Sequence, residues 1–297
     1  MATYYIGPTG DDTTGDGSEG NPWLNIAYAV NNSSITDTII VKTGTLVQTL
    51  GSNGVNWLNR TIRSESGDPR LSILDLSSVT IERIIIDPSG SVSGLTFKGN
   101  VNNDLNRYFF LVEGTISDCI FDSCVAGGDL GSDGSRGSII AQSSGTVERC
   151  IFYNTRRRLA SNGGCIMGMR DPLVPTTLTV KNCVFVDDGA VIAGVSSLTS
   201  IIALAATSGV RTMTVNVNNS IASLSSGSLT NGYSLITISL GGSGSAVNVN
   251  TTNSCIHNLD YTDGETGVIT DDPLLVDPDN GFFEISANSP ARGLGSL

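Results

Sequence analysis

Gly-Thr-Ile-Ser-Asp-Cys-Ile-Phe at 114–121 recurs as Gly-Thr-Val-Glu-Arg-Cys-Ile-Phe at 145–152 and as Leu-Thr-Val-Lys-Asn-Cys-Val-Phe at 178–185. Looser copies flank these three: Ser-Val-Ser-Gly-Leu-Thr-Phe at 91–97, Val-Asn-Val-Asn-Asn-Ser-Ile at 215–221 and Asn-Thr-Thr-Asn-Ser-Cys-Ile at 250–256. With Leu95, Cys119, Cys150, Cys183, Ser220 and Cys255 taken as equivalent, the offsets run from 24 to 37 residues and never settle on one value. Helical repeats hold a nearly fixed period because both helices must pack, whereas a β-coil needs only its strands in register and extrudes loops of any length. An apolar run precedes each phrase, at 108–112, 138–141, 165–167, 201–204 and 234–238. Each coil therefore reads as strand, turn, strand and variable excursion.

Alternation in Thr146-Val147-Glu148 sets Val147 inward and Glu148 outward. Stacked coils then place Cys119, Cys150 and Cys183 in one internal ladder and Phe121, Phe152 and Phe185 in a second, at the ordinary strand spacing of about 4.8 Å. Repetition of one phrase head to tail opposes an antiparallel sandwich, which would show mirrored partners joined by Asn-Gly turns. The expected fold is all-β, a single right-handed parallel β-helix with a short N-terminal capping helix. One domain spans 1–297, with an N-terminal cap at 1–36, coils at 37–260 and a C-terminal cap at 261–297. A solenoid exposes its core at both ends, so atypical end units are required. At the first end, Leu24, Ala27 and Tyr28 stand at helical spacing behind Asn21 and Pro22, which predicts a helix over 21–30 capped by Asn21. The first full strand begins at Asp37-Thr38-Ile39-Ile40-Val41.

Composition agrees with many short strands and tight turns. The 297 residues include 35 Gly, and only 15% are charged. A net charge of -12 and a pI near 4.4 oppose binding to a phosphate backbone or an anionic membrane. Neither nucleic acid nor membrane is expected as a partner, and no apolar run approaches the roughly 18 residues of a span. Arg156-Arg157-Arg158 is too short a basic run to reverse that reading and is expected in a solvated loop or subunit contact. The opening residues show no basic, apolar and small-residue order of an export signal, so synthesis in a host cytoplasm is expected. Six cysteines without a CxxC pair, and a single histidine, His257, argue for free thiols rather than a zinc site. No metal or other cofactor is expected.

The two ends also carry a resemblance. Tyr4-Tyr5-Ile6-Gly7-Pro8-Thr9-Gly10-Asp11-Asp12, Asn21-Pro22-Trp23 and the strand entering Lys42-Thr43-Gly44 resemble the start of pectin-lyase-like right-handed β-helix proteins. Asp272-Pro273-Leu274-Leu275-Val276-Asp277-Pro278, Phe282-Phe283-Glu284-Ile285 and Ser289-Pro290-Ala291 resemble the terminal segment of many members. The resemblance covers essentially the whole chain and implies the fold. It says less about activity, because the family includes lyases, hydrolases, viral spikes and inert scaffolds.

An enzyme of that family would act on an acidic polysaccharide. β-Elimination needs a base near the sugar C5 proton and a cation against the uronate carboxylate. Of three lysines, Lys42, Lys98 and Lys181, the last stands with Arg149 in a near-equivalent outward position on the neighbouring coil, with Asp118 close by. Outward alternation alone accounts for this polar ladder. Hydrolysis in the polygalacturonase-like branch needs three aspartates, and Asp187-Asp188-Gly189 resembles the paired-aspartate segment, but the Gly-His-Gly and Arg-x-Lys phrases of that branch are absent. Asp and Gly suit a plain turn equally well. Asp11, Asp12 and Asp16 lack EF-hand spacing and read as a capped turn rather than a calcium loop. Trp23 and Trp57 read as cap or core packing, and His257 as a polar coil residue. With no complete catalytic set, the expectation is a non-enzymatic structural protein on a virion surface, most simply a bacteriophage capsid decoration. Its partners would be the major capsid protein or other virion proteins, copies of itself as a homo-oligomer, a trimer first, and a surface glycan. The alternative is a tailspike-like polysaccharide lyase or glycoside hydrolase.

Overall fold

The computed structural model describes residues 1–49, 55–56, 60–78, 84–99, 110–126, 139–141, 144–157, 164–170, 175–187, 198–206, 212–224, 234–240, 246–257, 268–269, 272–277 and 282–292. Over these residues the chain is a parallel β-helix built on three long parallel sheets. Sheet A stacks nine strands: Thr3–Ile6, Thr38–Val41, Thr61–Ser64, Ser91–Ser93, Thr115–Ser117, Gly145–Glu148, Thr176–Lys181, Thr212–Asn218 and Ala246–Thr252. Sheet B stacks eight, from Gly44–Val47 through Ile120–Asp122, Ile151–Tyr153, Val184–Asp187 and Ile221–Leu224 to Cys255–His257. Sheet C stacks seven, from Val55–Asn56 through Phe110–Val112, Ile139–Ala141, Gly164–Arg170 and Leu198–Ala206 to Ser234–Leu240. A coil visits C, then A, then B, and the next coil repeats that order. Crossovers between parallel strands take the right hand in nearly all sheets, which gives the coil its hand.

Each coil thus carries three strands rather than the two expected, because the repeated phrase itself bends. Asp118, Arg149, Asn182, Asn219 and Asn253 sit at the bend with φ of 54°, 52°, 53°, 49° and 47°. In the earlier coil Gly94 takes the place, at 68°. A left-handed residue breaks strand parity, so Val147 and Cys150, three apart, are both fully buried. Its N–H turns to the next coil, as Asp118 N donates to Glu148 O at 3.1 Å and Arg149 N to Lys181 O at 3.0 Å. The residue after the bend points inward and is small: Cys119, Cys150, Cys183, Ser220 and Ser254. Its side chain donates to the carbonyl two residues back, from Cys119 Sγ to Ser117 O at 3.1 Å and from Ser254 Oγ to Thr252 O at 3.0 Å. Thiol and hydroxyl meet the same need, which explains why both occupy this slot. The equivalence drawn through Cys255 is corrected here by one residue: Ser254 continues the column, and Cys255 stands in register with Ile221.

Ile39, Ile62, Val92, Ile116, Val147, Val180 and Val217 form an unbroken buried column on sheet A. Facing it, Phe97, Phe121, Phe152 and Phe185 stack with ring centroids 5.3, 4.8 and 4.9 Å apart. Each buried ring contributes roughly 1.5–3 kcal/mol, and the offset stack adds to that.

The N-terminal helix is shorter and later than expected, α1 over Ile26–Asn31 with Asn25 as its N-cap. Its buried face is Ile26, Ala29 and Val30, whereas Leu24, Ala27 and Tyr28 are half-buried. Asn21 and Pro22 fail as helix start because the chain there is still extended: Trp23 bridges Ile6 and prolongs sheet A. Donors at the helix start are met from elsewhere. Asp12 Oδ1 accepts from Leu24 N at 2.8 Å and Asn25 N at 3.0 Å, and Gln48 Oε1 accepts from Ile26 N at 2.8 Å. Trp23 stacks on Tyr4 at 5.0 Å, meets Tyr28 edge-on at 5.5 Å and donates Nε1–H to Gly15 O at 3.0 Å.

At the other end, Val268 packs against the main core and Ile269 bridges Cys255. The following hairpin, Leu275–Asp277 against Phe282–Ile285, then lies on the outer face of sheet B. There Val184, Val186, Ile221, Cys255 and Ala291 form a second buried cluster, packed by Ile151, Tyr153, Ile269, Leu275 and Ile285. Among the described residues no helix is long and apolar enough to cross a membrane.

Candidate functional site

The bend and the last residue of each sheet A strand stand side by side on one edge of the coil. In three successive coils these pairs are Ser117-Asp118, Glu148-Arg149 and Lys181-Asn182. In-register pairing puts Glu148 between Ser117 and Lys181, and the bend stacks Asp118, Arg149 and Asn182. Arg149 and Lys181 are therefore near-equivalent, one slot apart on neighbouring coils, and they are joined through Glu148, expected to face outward but not as part of the site. Arg149 Nε and Nη2 donate to Asp118 Oδ1 and Oδ2 at 2.7 and 2.9 Å, a bidentate pair. Its Nη1 lies 2.8 Å from Glu148 Oε1, and Lys181 Nζ lies 2.8 Å from Glu148 Oε2.

Two carboxylates and two cations thus form a linear chain, Asp118 to Arg149 to Glu148 to Lys181, whose formal charges cancel. Hydrogen bonding to Arg149 holds the Asp118 carboxyl below its ordinary value, against a smaller opposing effect of burial. Glu148 is lowered first by the Lys181 hydrogen bond and then by Arg149. Arg149 is raised in turn, mainly by Asp118. Nε, Nη1 and Nη2 are each engaged, so a uronate carboxylate meeting Arg149 would compete with Asp118 and Glu148 for it. Both carboxylates are held ionised against a cation, which makes them poor proton acceptors at neutral pH.

Asp187 closes the Val184–Asp187 strand in register with Leu224, while Asp188 lies outside the described residues. The quartet does not include Asp187. Trp57 and Arg158 also lie outside the described residues, and Arg156–Arg157 forms a short parallel strand with Val125–Ala126 rather than a loop. The acidic N-terminal loop is organised by its own backbone: Asp11 Oδ1 accepts from Thr13 N and Thr14 N at 2.7 and 2.8 Å, and Asp16 Oδ1 from Ser18 N at 2.9 Å. With Asp12 at the helix start, these carboxylates act as turn and helix acceptors. His257 lies on the outer side of sheet B, in register with Ser223.

Sequence could have revealed Glu148. At the fourth slot of the repeated phrase stand Ser, Glu and Lys, and at the fifth Asp, Arg and Asn, so opposite charges fall at neighbouring slots of stacked coils. Compared with known proteins, the chain matches no family model, no curated sequence and no solved structure.

Proposed function

We propose that this β-helix is a non-catalytic structural protein, a rigid accessory component on the outside of a virus particle, with capsid proteins and copies of itself as partners. The observation that carries the non-catalytic part is the ion-paired quartet. Asp118 and Glu148 offset the charge of the cations best placed for uronate recognition, and among the described residues no unpaired base stands beside them. The resemblance of both chain ends to pectin-lyase-like proteins, a group with viral members, supports the particle part. So does the architecture itself, coils stacked around one continuous core.

A polysaccharide lyase or hydrolase is the second reading. One observation favours it: the Arg149 and Lys181 side chains stay 37% and 45% exposed on one edge of neighbouring coils, with N–H donors that their ion pairs do not use. Incubation with a panel of uronate-containing and neutral polysaccharides separates the two. The structural reading expects no new reducing ends or unsaturated product, together with recovery of the protein in purified particles. Turnover that Lys181→Met or Asp188→Asn abolishes would reject it.

A further inference from the structure

We propose that the last strand of sheet A, Ala246–Thr252, pairs with the same strand of a second copy. The two β-helices would then be joined tail to tail about a two-fold axis. This strand ends the nine-stranded stack, and among the described residues no strand lies on its far side. Its orientation follows from the coil's own hydrogen bonds. Thr146 N donates backwards to Gly114 O, and Asn219 N reaches forward to Thr252 O. Through the register Thr146, Thr179, Asn216, Asn250, the backbone of Asn248, Asn250 and Thr252 therefore faces the preceding coil. That of Val247, Val249 and Thr251 faces away.

Seven residues of edge, Ala-Val-Asn-Val-Asn-Thr-Thr, carry no charge and no proline, the devices by which exposed edges avoid pairing. A second observation comes from Thr251. It is 2% exposed, and its Oγ1 has no hydrogen-bond partner. A strand laid on this edge brings backbone carbonyls beside it, in the way that Thr155 Oγ1 already donates to Phe121 O of the neighbouring coil at 2.9 Å.

The other end of the molecule decides the occupant. Tyr5, whose backbone would receive a strand there, is taken: its N–H donates to Gly17 O at 2.8 Å, and its carbonyl accepts from Trp23 N at 3.0 Å. With that edge covered, head-to-tail stacking of copies has no second half. An antiparallel pair of the free edges is self-complementary. Centred on Val249, it sets Val249 against its symmetry mate, Val247 against Thr251 and Asn248 against Asn250, with every outward-facing N–H and C=O in a hydrogen-bonded pair.

The test uses the full chain, by sedimentation over a wide concentration range together with amide hydrogen exchange. The expected result is a dimer of extended shape, with slow exchange at Val247, Val249 and Thr251. Val249→Pro removes a donor that no bond among the described residues uses, so the variant should keep its far-UV spectrum as a folded monomer while dimer affinity falls at least a hundredfold. Asn248→Lys, which leaves the backbone intact, should weaken the dimer in a salt-dependent way. Three results would overturn the proposal: a wild-type monomer at all concentrations, slow exchange at those amides in a monomer, where another segment of the same chain covers the edge, or a dimer that Val249→Pro leaves unchanged.

Discussion

The left-handed residue at the bend is the smallest unit on which the fold turns. Asn182 carries φ 53°, and Asn tolerates this region where most side chains do not. Asn182→Ala should cost about 1 kcal/mol, whereas Asn182→Gly should stay within about 0.5 kcal/mol of wild type in urea unfolding. Equal losses in both would place the value of Asn182 in its side chain rather than its backbone. The neighbouring quartet makes a pH prediction. Asp118 and Glu148 titrate lower in the folded chain than unfolded, so their contribution is complete above the ordinary carboxyl range and is lost as pH falls through the depressed folded values. Burial raises Asp87, which acts in the opposite sense and weakens the fold as pH rises through its folded value. The urea midpoint of wild type should therefore exceed that of an Arg149→Gln, Lys181→Met double variant near neutrality. The gap should close as pH drops below the ordinary Glu value of 4.5, and should shrink in high salt because these groups are partly exposed. A gap independent of pH would assign the loss to packing. The bend itself was legible in the phrase, though not in alternation alone. Val147 and Cys150 are both apolar and three apart, a spacing no straight strand can bury on one face.

In the strand and its turns, repetition makes each coil a natural experiment on the next. The inward slot after the bend holds Cys at 119, 150 and 183 and Ser at 220 and 254, each donating to the carbonyl two residues back. Cys150→Ser should thus cost less than about 1 kcal/mol, although the site is fully buried, because the hydroxyl inherits an acceptor at Glu148 O. Cys150→Val removes the donor and should cost more. The reverse order in thermal unfolding would show that slot volume outweighs the hydrogen bond. The coil order was legible because the phrase and its apolar forerunner recur in one direction. Helix α1 was mislocated for an equally physical reason. Asn21-Pro22 has the composition of a helix start, but its neighbour Trp23 has a competing place in sheet A, and Asp12 and Gln48, distant in sequence, supply the acceptors that fix the start at Ile26.

At the scale of the whole molecule, the described residues form two apolar regions rather than one. Sheet B is buried on its inner face by the phenylalanine stack and, over its later coils, on its outer face by the C-terminal hairpin. The sequence carried a trace of this in Cys-Val-Phe-Val at 183–186, where alternation should have placed a polar residue outward and did not, the mark of a strand covered on both sides. What covered it was not legible, since the hairpin lies far along the chain and makes no repeat. Its attachment is mostly side-chain packing. The hydrogen bonds of Leu274, Ser286, Ser289 and Ala291 close within the segment itself, and among the described residues the backbone link to the coils is Ile269 N to Ser254 O at 2.9 Å. Removal of residues 268–297 should therefore leave the coils folded, with the strand signal in far-UV circular dichroism retained, while the outer strip of Val184, Val186 and Ile221 comes into water and binds a hydrophobic dye. Cysteine chemistry gives the sharper readout. Cys255 is buried from outside by the hairpin, whereas Cys119, Cys150 and Cys183 are buried from inside by the main core. In the truncated chain, a thiol reagent without denaturant should label Cys255, identified by mass spectrometry, and leave Cys119, Cys150 and Cys183 unmodified. Labelling of all four together would mean that the hairpin holds the coils themselves closed, and that the two apolar regions unfold as one.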